Sequence, residues 1–208
     1  MQFRTIVAAS MIFLLAGAAS AQYLGQMSPA SVLPEGSGKL GGYVILAEHA
    51  TGVAGSLRYG FSPFFEGRVR LGFLDPEHGD MGVILGGDFK YLLWKFRENQ
   101  NPFNLSLGGL LEYSDNGDFS LFGLGGSVIG SIPFKLKNNS VIEPYARVYL
   151  RMQRASIDTR VGDASDTELK GGVNVGALFS VTPLVDFTAE FQIDDEWAFL
   201  VGVDFIAF

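Results

Sequence analysis

The sequence has no cysteine, only two histidines, and no long apolar run beyond its N-terminus. Without cysteine there is no disulfide framework, no zinc–thiolate centre and no cysteine nucleophile. Bases are also scarce. Lys and Arg total 15 against 22 Asp and Glu, a net charge of −7. Such a chain lacks the basic patch or stripe that nucleic acid demands, so no nucleic-acid partner is expected. Disorder is excluded by composition, because 48% of the residues are hydrophobic and a disordered chain is poor in them. A length of 208 residues accommodates one domain or a small pair.

What is present begins with an address. Arg4 precedes an apolar run from Ile6 to Leu15, followed by Gly17 and Ala19-Ser20-Ala21. A basic start, a short apolar core and a small-residue exit predict a secretory signal peptide over residues 1–21, cleaved before Gln22. The run falls short of the about 20 apolar residues that a membrane helix needs. Residues 22–40 hold Pro29, Pro34, Gly36 and Gly38 among small polar side chains. They read as a flexible periplasmic leader.

From residue 41 to 208 the dominant period is two, the signature of strands. In Phe65–Phe73, Phe65, Val69, Leu71 and Phe73 alternate with Glu66, Arg68 and Arg70. In Glu143–Gln153, Ala146, Val148, Leu150 and Met152 alternate with Tyr145, Arg147, Tyr149 and Arg151. The same reading gives ten strands: Gly41–Glu48, Val53–Gly60, Phe65–Leu74, Met81–Trp94, Phe103–Tyr113, Phe119–Ile132, Val141–Arg154, Glu168–Val181, Val185–Ile193 and Trp197–Ala207. The first has the weakest pattern, and eight crossing strands is the alternative. Most are about ten residues long, the length that crosses a bilayer as a tilted strand. Pro63, Pro76, Pro102 and Pro183 fall between strands, and Asn116-Gly117 marks a hairpin.

Two-faced strands build soluble and membrane barrels alike, so the inward face must be decided. The apolar faces carry Leu57, Val69, Leu71, Phe73, Phe89, Leu107, Leu124, Val148, Leu150, Phe187, Phe191 and Phe199, among others. A small barrel has too little interior volume for so many bulky groups. The polar faces therefore point inward. They hold Arg58, Glu66, Arg68, Arg70, Asp88, Lys90, Glu112, Glu143, Arg147, Arg151, Glu168, Lys170, Asp186, Glu190 and Asp204. The signs nearly balance, and buried charges must be paired, so a lumen of cross-linked ion pairs is expected. Aromatics gather near strand ends: Tyr59, Phe61, Phe64, Trp94, Phe96, Phe103 and Phe134 at one end, Phe73, Tyr113, Phe119 and Trp197 at the other. Two such girdles belong at membrane–water interfaces.

On these features the chain resembles a small outer-membrane β-barrel protein of Gram-negative bacteria. The resemblance includes its last residue, Phe208, because such barrels end in an aromatic that the assembly machinery reads. It implies an all-β, antiparallel, up-and-down transmembrane barrel in the cell outer membrane. Outer-membrane lipid, lipopolysaccharide and the barrel-assembly machinery would be its partners, with no cofactor. One feature departs from the pattern: alternate residues counted back from Phe208 include Asp204, which does not belong in lipid. A bulge near Phe205 would reconcile the two faces.

An even strand number puts both termini at the periplasmic end. The other end, facing outside, carries the acidic loop residues Asp75, Glu77, Asp80, Asp115, Asp118, Asp158, Asp163, Asp166, Asp194, Asp195 and Glu196, with Arg160 opposing them. Oxygen-rich loops suit hard divalent cations, and Asp is equally the residue of turns. No calcium-loop spacing is present. Gly123-Leu124-Gly125-Gly126 lies inside a strand with no helix behind it and is no nucleotide fingerprint. His49 and His78 sit beside acidic residues in external loops, but no catalytic motif surrounds either. The chain is therefore expected to be no enzyme and to have no catalytic or metal residues. Its expected role is structural or surface-interacting through the external loops. The alternative is a narrow pore for ions or small solutes, and an outer-membrane hydrolase ranks behind both. The first two diverge on whether Glu66, Asp88, Glu112, Glu143 and Glu190 neutralise Arg68, Arg70, Arg147 and Arg151.

Overall fold

The computed structural model describes residues 27–77, 80–97, 100–117, 119–137, 140–157 and 164–208. The expected signal peptide and the start of the expected leader lie outside these residues, as do His78, Asp118, Asp158, Arg160 and Asp163.

Eleven strand segments follow in order: β1 (Gly38–Ala47), β2 (Ala50–Ser62), β3 (Phe65–Pro76), β4 (Gly82–Trp94), β5 (Asn104–Asp115), β6 (Phe119–Ser131), β7 (Phe134–Lys135), β8 (Val141–Ile157), β9 (Ala164–Thr182), β10 (Val185–Ile193) and β11 (Trp197–Ile206). β7 is a two-residue extension paired to the start of β8. The other ten close into one antiparallel barrel. Consecutive strands pair, β6 pairs β8, and β1 pairs β11 to complete the ring. Closure pairs every barrel strand on both sides within the ring, which removes the open edge of a flat sheet there. The strand with the weakest sequence pattern is the one that closes the barrel, pairing along its length with both β2 and β11, so the eight-strand alternative does not hold.

Several strands outrun their sequence-based limits because hairpin ladders continue to the turn. Ala47 pairs Ala50 across Glu48-His49, Ser62 pairs Phe65, and Thr182 pairs Val185. β8 and β9 zip together as far as Ile157 and Ala164. Residues 164–172 of β9 have no partner on β10, so the rim at this end stands highest where β8 and β9 pair.

Alternation in sequence becomes alternation across the wall. Arg147 is 0% exposed and its neighbour Val148 is 58% exposed. Val69, Leu71, Phe73, Leu85, Phe89, Leu107, Leu124, Leu150 and Phe187 are likewise outward and exposed. Three register shifts interrupt the alternation, one of them at Val181, which is skipped between Thr182–Val185 and Ser180–Asp186. In the other two, Phe61 is the unpaired residue between Gly60 and Ser62, and Leu93 is the one between Leu92 and Trp94. The bulge at Leu93 turns both Leu93 and Trp94 outward. The girdle at this end is a chain of ring contacts. Tyr59 lies 4.9 Å from Phe61, Phe61 5.7 Å from Phe65, Phe65 6.0 Å from Phe89, and Trp94 5.8 Å from Phe103. At the opposite end Phe191 stacks on Trp197.

The last strand needs no bulge. Its pairing with β1 runs unshifted from Lys39–Ile206 to Ala47–Ala198. Asp204 is inward and fully buried, Phe205 is outward, and Ile206 and Phe208 are outward as well. The alternation changes phase at Ile206, where the paired strand ends. The Phe208 ring packs over Gly38 and 6.0 Å from Tyr59.

The largest departure from expectation precedes β1. Residues 27–33, read as part of a flexible periplasmic leader, lie inside the barrel instead. Met27, Ser28, Ala30 and Leu33 are buried. The segment leaves the lumen through a turn at Pro34–Ser37, where Gly36 adopts φ +78° and donates to the Gly60 carbonyl at 2.9 Å. This φ favours glycine because it has no Cβ.

Candidate functional site

The lumen is the site, and the extended chain inside it is the central feature. Eight strands give a bore that side chains alone can fill, and diameter grows with strand number. Ten strands leave added cross-section, and residues 27–33 occupy part of it.

The segment is held rung by rung. At its deep end Met27 sits in an apolar cluster with Tyr43, Ile45, Leu74, Ile84, Ala198 and Leu200. The Ser28 carbonyl accepts from Arg147 Nη2 at 3.3 Å. Lys90 Nζ donates to the carbonyls of Pro29 and Ser31, both at 2.7 Å, and to Ser28 Oγ at 3.2 Å. Ala30 N–H donates to Ser131 Oγ at 3.0 Å, and the Ala30 carbonyl accepts from Ser106 Oγ. Ser31 Oγ donates to Glu143 Oε2 at 2.8 Å. Leu33 N–H donates to Glu66 Oε2 at 2.8 Å. The wall partners come from β3, β4, β5, β6 and β8. Polar backbone buried in a barrel must find partners, and here the wall supplies them.

Around the segment the charged side chains pair. Arg58 makes two bonds to Glu66, each 3.0 Å, and its Nη1 lies 3.5 Å from Asp204 Oδ2. Asp204 also accepts from the Tyr43 hydroxyl. Lys90 Nζ lies 3.6 Å from Glu66 Oε1. Arg70 meets Asp88 at 3.0 Å. Glu190 lies 3.7 Å from Arg147 and accepts from Tyr145, Asn174 and Gln192. Lys39 pairs with Asp186. Glu143 has neutral wall partners, Asn104 and Ser131. Arg151 and the Tyr149 hydroxyl both bind Asp194 at the rim.

Thirteen of the fifteen residues read as inward-facing therefore point inward and are buried or, for Asp88, half-buried. Glu168 and Lys170 do not belong to it. Glu168 is exposed, and Lys170 pairs with Glu168 at 3.2 Å and with Asp195. Both stand above the last β9–β10 pair, so their alternation continues past the barrel wall. Of the acids left open as partners of the arginines, Asp88 meets Arg70 and Glu190 meets Arg147. Glu66 serves Arg58, and Arg151 turns to a loop aspartate. Arg68 is buried beside Arg58 and Asp88 in register, and Glu112 is buried on β5.

Lys39, Tyr43 and Asn174 are network members that sequence reasoning missed. Lys39 fell in the supposed leader, and the other two are single polar residues on strands. Nothing periodic marks Ser28–Leu33. Three inward tyrosines share another device: Tyr43, Tyr145 and Tyr149 each face a glycine directly across the ladder, Gly202, Gly176 and Gly172. A Cβ at any of these glycines would meet the ring.

Outside the lumen, His49 Nδ1 lies 3.6 Å from Glu77, and both are exposed. Among the described residues no group of three or more His, Asp or Glu is placed to hold a metal ion.

No family model matches the chain, and no curated protein matches it. Solved outer-membrane barrels do. The KdgM porin is 10% identical with a TM-score of 0.45, over 80% of this chain and 98% of that one. The N-terminal β-barrel domain of Pseudomonas aeruginosa OprF is 13% identical, TM-score 0.39, over 84% and 99%. Neisserial surface protein A is 17% identical, TM-score 0.35, over 81% and 95%. Similarity at this level identifies no function.

Proposed function

We propose that this chain is an integral outer-membrane β-barrel, closed to ions at rest, with a non-enzymatic structural or surface-interaction role at its loop-bearing end. Membrane insertion follows from the outward face. Monomeric soluble proteins rarely expose apolar patches beyond a few hundred Å², and here large apolar side chains cover the wall on every strand of the barrel. Lipid is the solvent that such a face requires.

The observation that carries the closed reading is the lumen segment. Its buried backbone lies in the bore and is bonded to five neighbouring strands. Buried ion pairs line the lumen beside it. The loop end is where contact with other molecules is expected. It carries Asp75, Glu77, Asp80, Asp115, Asp166, Asp195 and Glu196, whereas the turn end carries Lys95, Arg97, Lys135 and Lys137. Lipopolysaccharide would surround the loop end, and Phe208, exposed at the turn end, would be presented to the assembly machinery.

Planar-bilayer recording of the refolded mature protein tests the reading. Insertion without discrete conductance steps is the expected result. Discrete steps, altered by Arg147→Ala with Arg151→Ala, would replace it with the narrow-pore reading.

A further inference from the structure

Resting on the closed-barrel reading, we propose that the lumen contains an anion-binding constriction formed by Lys90 and Arg147, covered in the closed state by residues 28–31. When this segment withdraws, the barrel passes or binds small oxygen-rich anions such as carboxylates and phosphate.

The hydrogen-bond inventory of Lys90 carries the argument. Its ammonium group has three donors. All three go to the segment: the Pro29 carbonyl, the Ser31 carbonyl and Ser28 Oγ. Among the described residues the wall offers Lys90 one carboxylate within 4 Å, Glu66 at 3.6 Å, and both oxygens of Glu66 are already bound by Arg58. Lys90 is 1% exposed. A buried ammonium stripped of its acceptors is costly, so the vacated site takes up replacement oxygens, and an anion competes there with the water that enters. Arg147 would lose its bond to the Ser28 carbonyl in the same step. The Ser106 hydroxyl would lose its acceptor, the Ala30 carbonyl. Around residues 28–31 the wall donates from Lys90, Arg147 and Ser106 to the carbonyls of Ser28, Pro29, Ala30 and Ser31, while Ser131 and Glu143 accept from Ala30 N–H and Ser31 Oγ. A carboxylate or phosphate offers the same atoms with a charge that suits Lys90.

The segment is also suited to leave. It is joined to the wall mainly through single hydrogen bonds from its own backbone, with no strand ladder, until Gly36. Ten paired strands close without it.

The test uses the full mature chain with Ala30→Arg. Ala30 is fully buried between Ser106 and Ser131, and a bulky charged side chain cannot be housed there. Ser28→Cys in the same protein reports the position of the segment, since the natural chain has no cysteine. Wild-type background with Ser28→Cys alone should resist a bulky maleimide. With Ala30→Arg the thiol should react, and bilayers should gain discrete steps where none existed. A salt gradient should show preference for chloride over potassium. Inorganic phosphate should reduce those steps, and adding Lys90→Met should abolish both the preference and the phosphate effect.

A reactive thiol with silent bilayers would overturn the proposal, as would steps without anion preference. An unreactive thiol in folded Ala30→Arg would overturn it too, because the segment would then not be displaceable. If Ala30→Arg fails to give the folded form on a heat-shift gel, Ser106→Ala with Ser131→Ala removes both side-chain bonds to Ala30 and is held to the same outcomes. Steps in the wild-type protein are a separate result: they would end the closed-barrel reading itself.

Discussion

Arg58 shows what a single residue does in this lumen. Its guanidinium faces two carboxylates, Glu66 and Asp204, with all three groups buried. Breaking a buried pair leaves an uncompensated charge and costs about 3–5 kcal/mol. Arg58→Met should therefore lower unfolding stability by about that amount, read from urea titration of the barrel in lipid vesicles. The glycine–tyrosine rungs allow a sharper comparison. Tyr145 lies over Gly176 while its hydroxyl bonds Glu190 at 2.7 Å. Gly176→Val should push the ring away and destabilise by about 1–3 kcal/mol, the usual range for overpacking. Gly42→Val is the control, because a Cβ there meets nothing within 4 Å. It should leave the urea midpoint near that of the wild type.

At the scale of the element, each strand is a two-faced ribbon whose faces meet different solvents. Val148 on β8 is outward in mid-strand, paired with Val128 and Val173. A cation at the bilayer midplane costs about 2–4 kcal/mol, falling to about 0–1 near the interface. Val148→Arg should show the larger loss, and Thr167→Arg on the exposed rim of β9 the smaller, measured by the same titration. The strands were legible from residue 41 onward because period two survives any local propensity. Their ends were less so. Phe61 and Leu93 are extra residues in bulges, and a bulge depends on how the partner strand is cut. Glu168 and Lys170 kept the alternation of β9, yet lie above the wall, because alternation carries no information about depth.

The whole molecule is a ring, and ring closure decides what the lumen can contain. Strand number and stagger set the diameter. At ten strands the bore admits both the paired charges and a single extended chain. Two expected outcomes belong to this scale: silence of the wild type in bilayers, and chloride-selective steps on displacing residues 28–31. Their combination separates a barrel closed by its own side chains from one closed by its N-terminal segment. The charge distribution is likewise a property of the whole, with acidic loops at one end and basic turns at the other.

The sequence alone determined the all-β class, the face of each strand and the near-neutral charge of the interior. Those follow from a period of two, from side-chain volume and from the requirement that buried charges be paired, all of which are local or additive. Only the tertiary structure decided which carboxylate Arg58, Arg70, Arg147 and Arg151 would each meet. The choice depends on the register between neighbouring strands for Arg58 and Arg70, and on ring curvature bringing β8 towards residues 190 and 194 for Arg147 and Arg151. It alone placed Ser28–Leu33 inside. That segment has the composition of a leader, and its ordering comes from Lys90, Ser106, Ser131, Glu143 and Arg147, five residues that share a level of the bore only once the ring has closed.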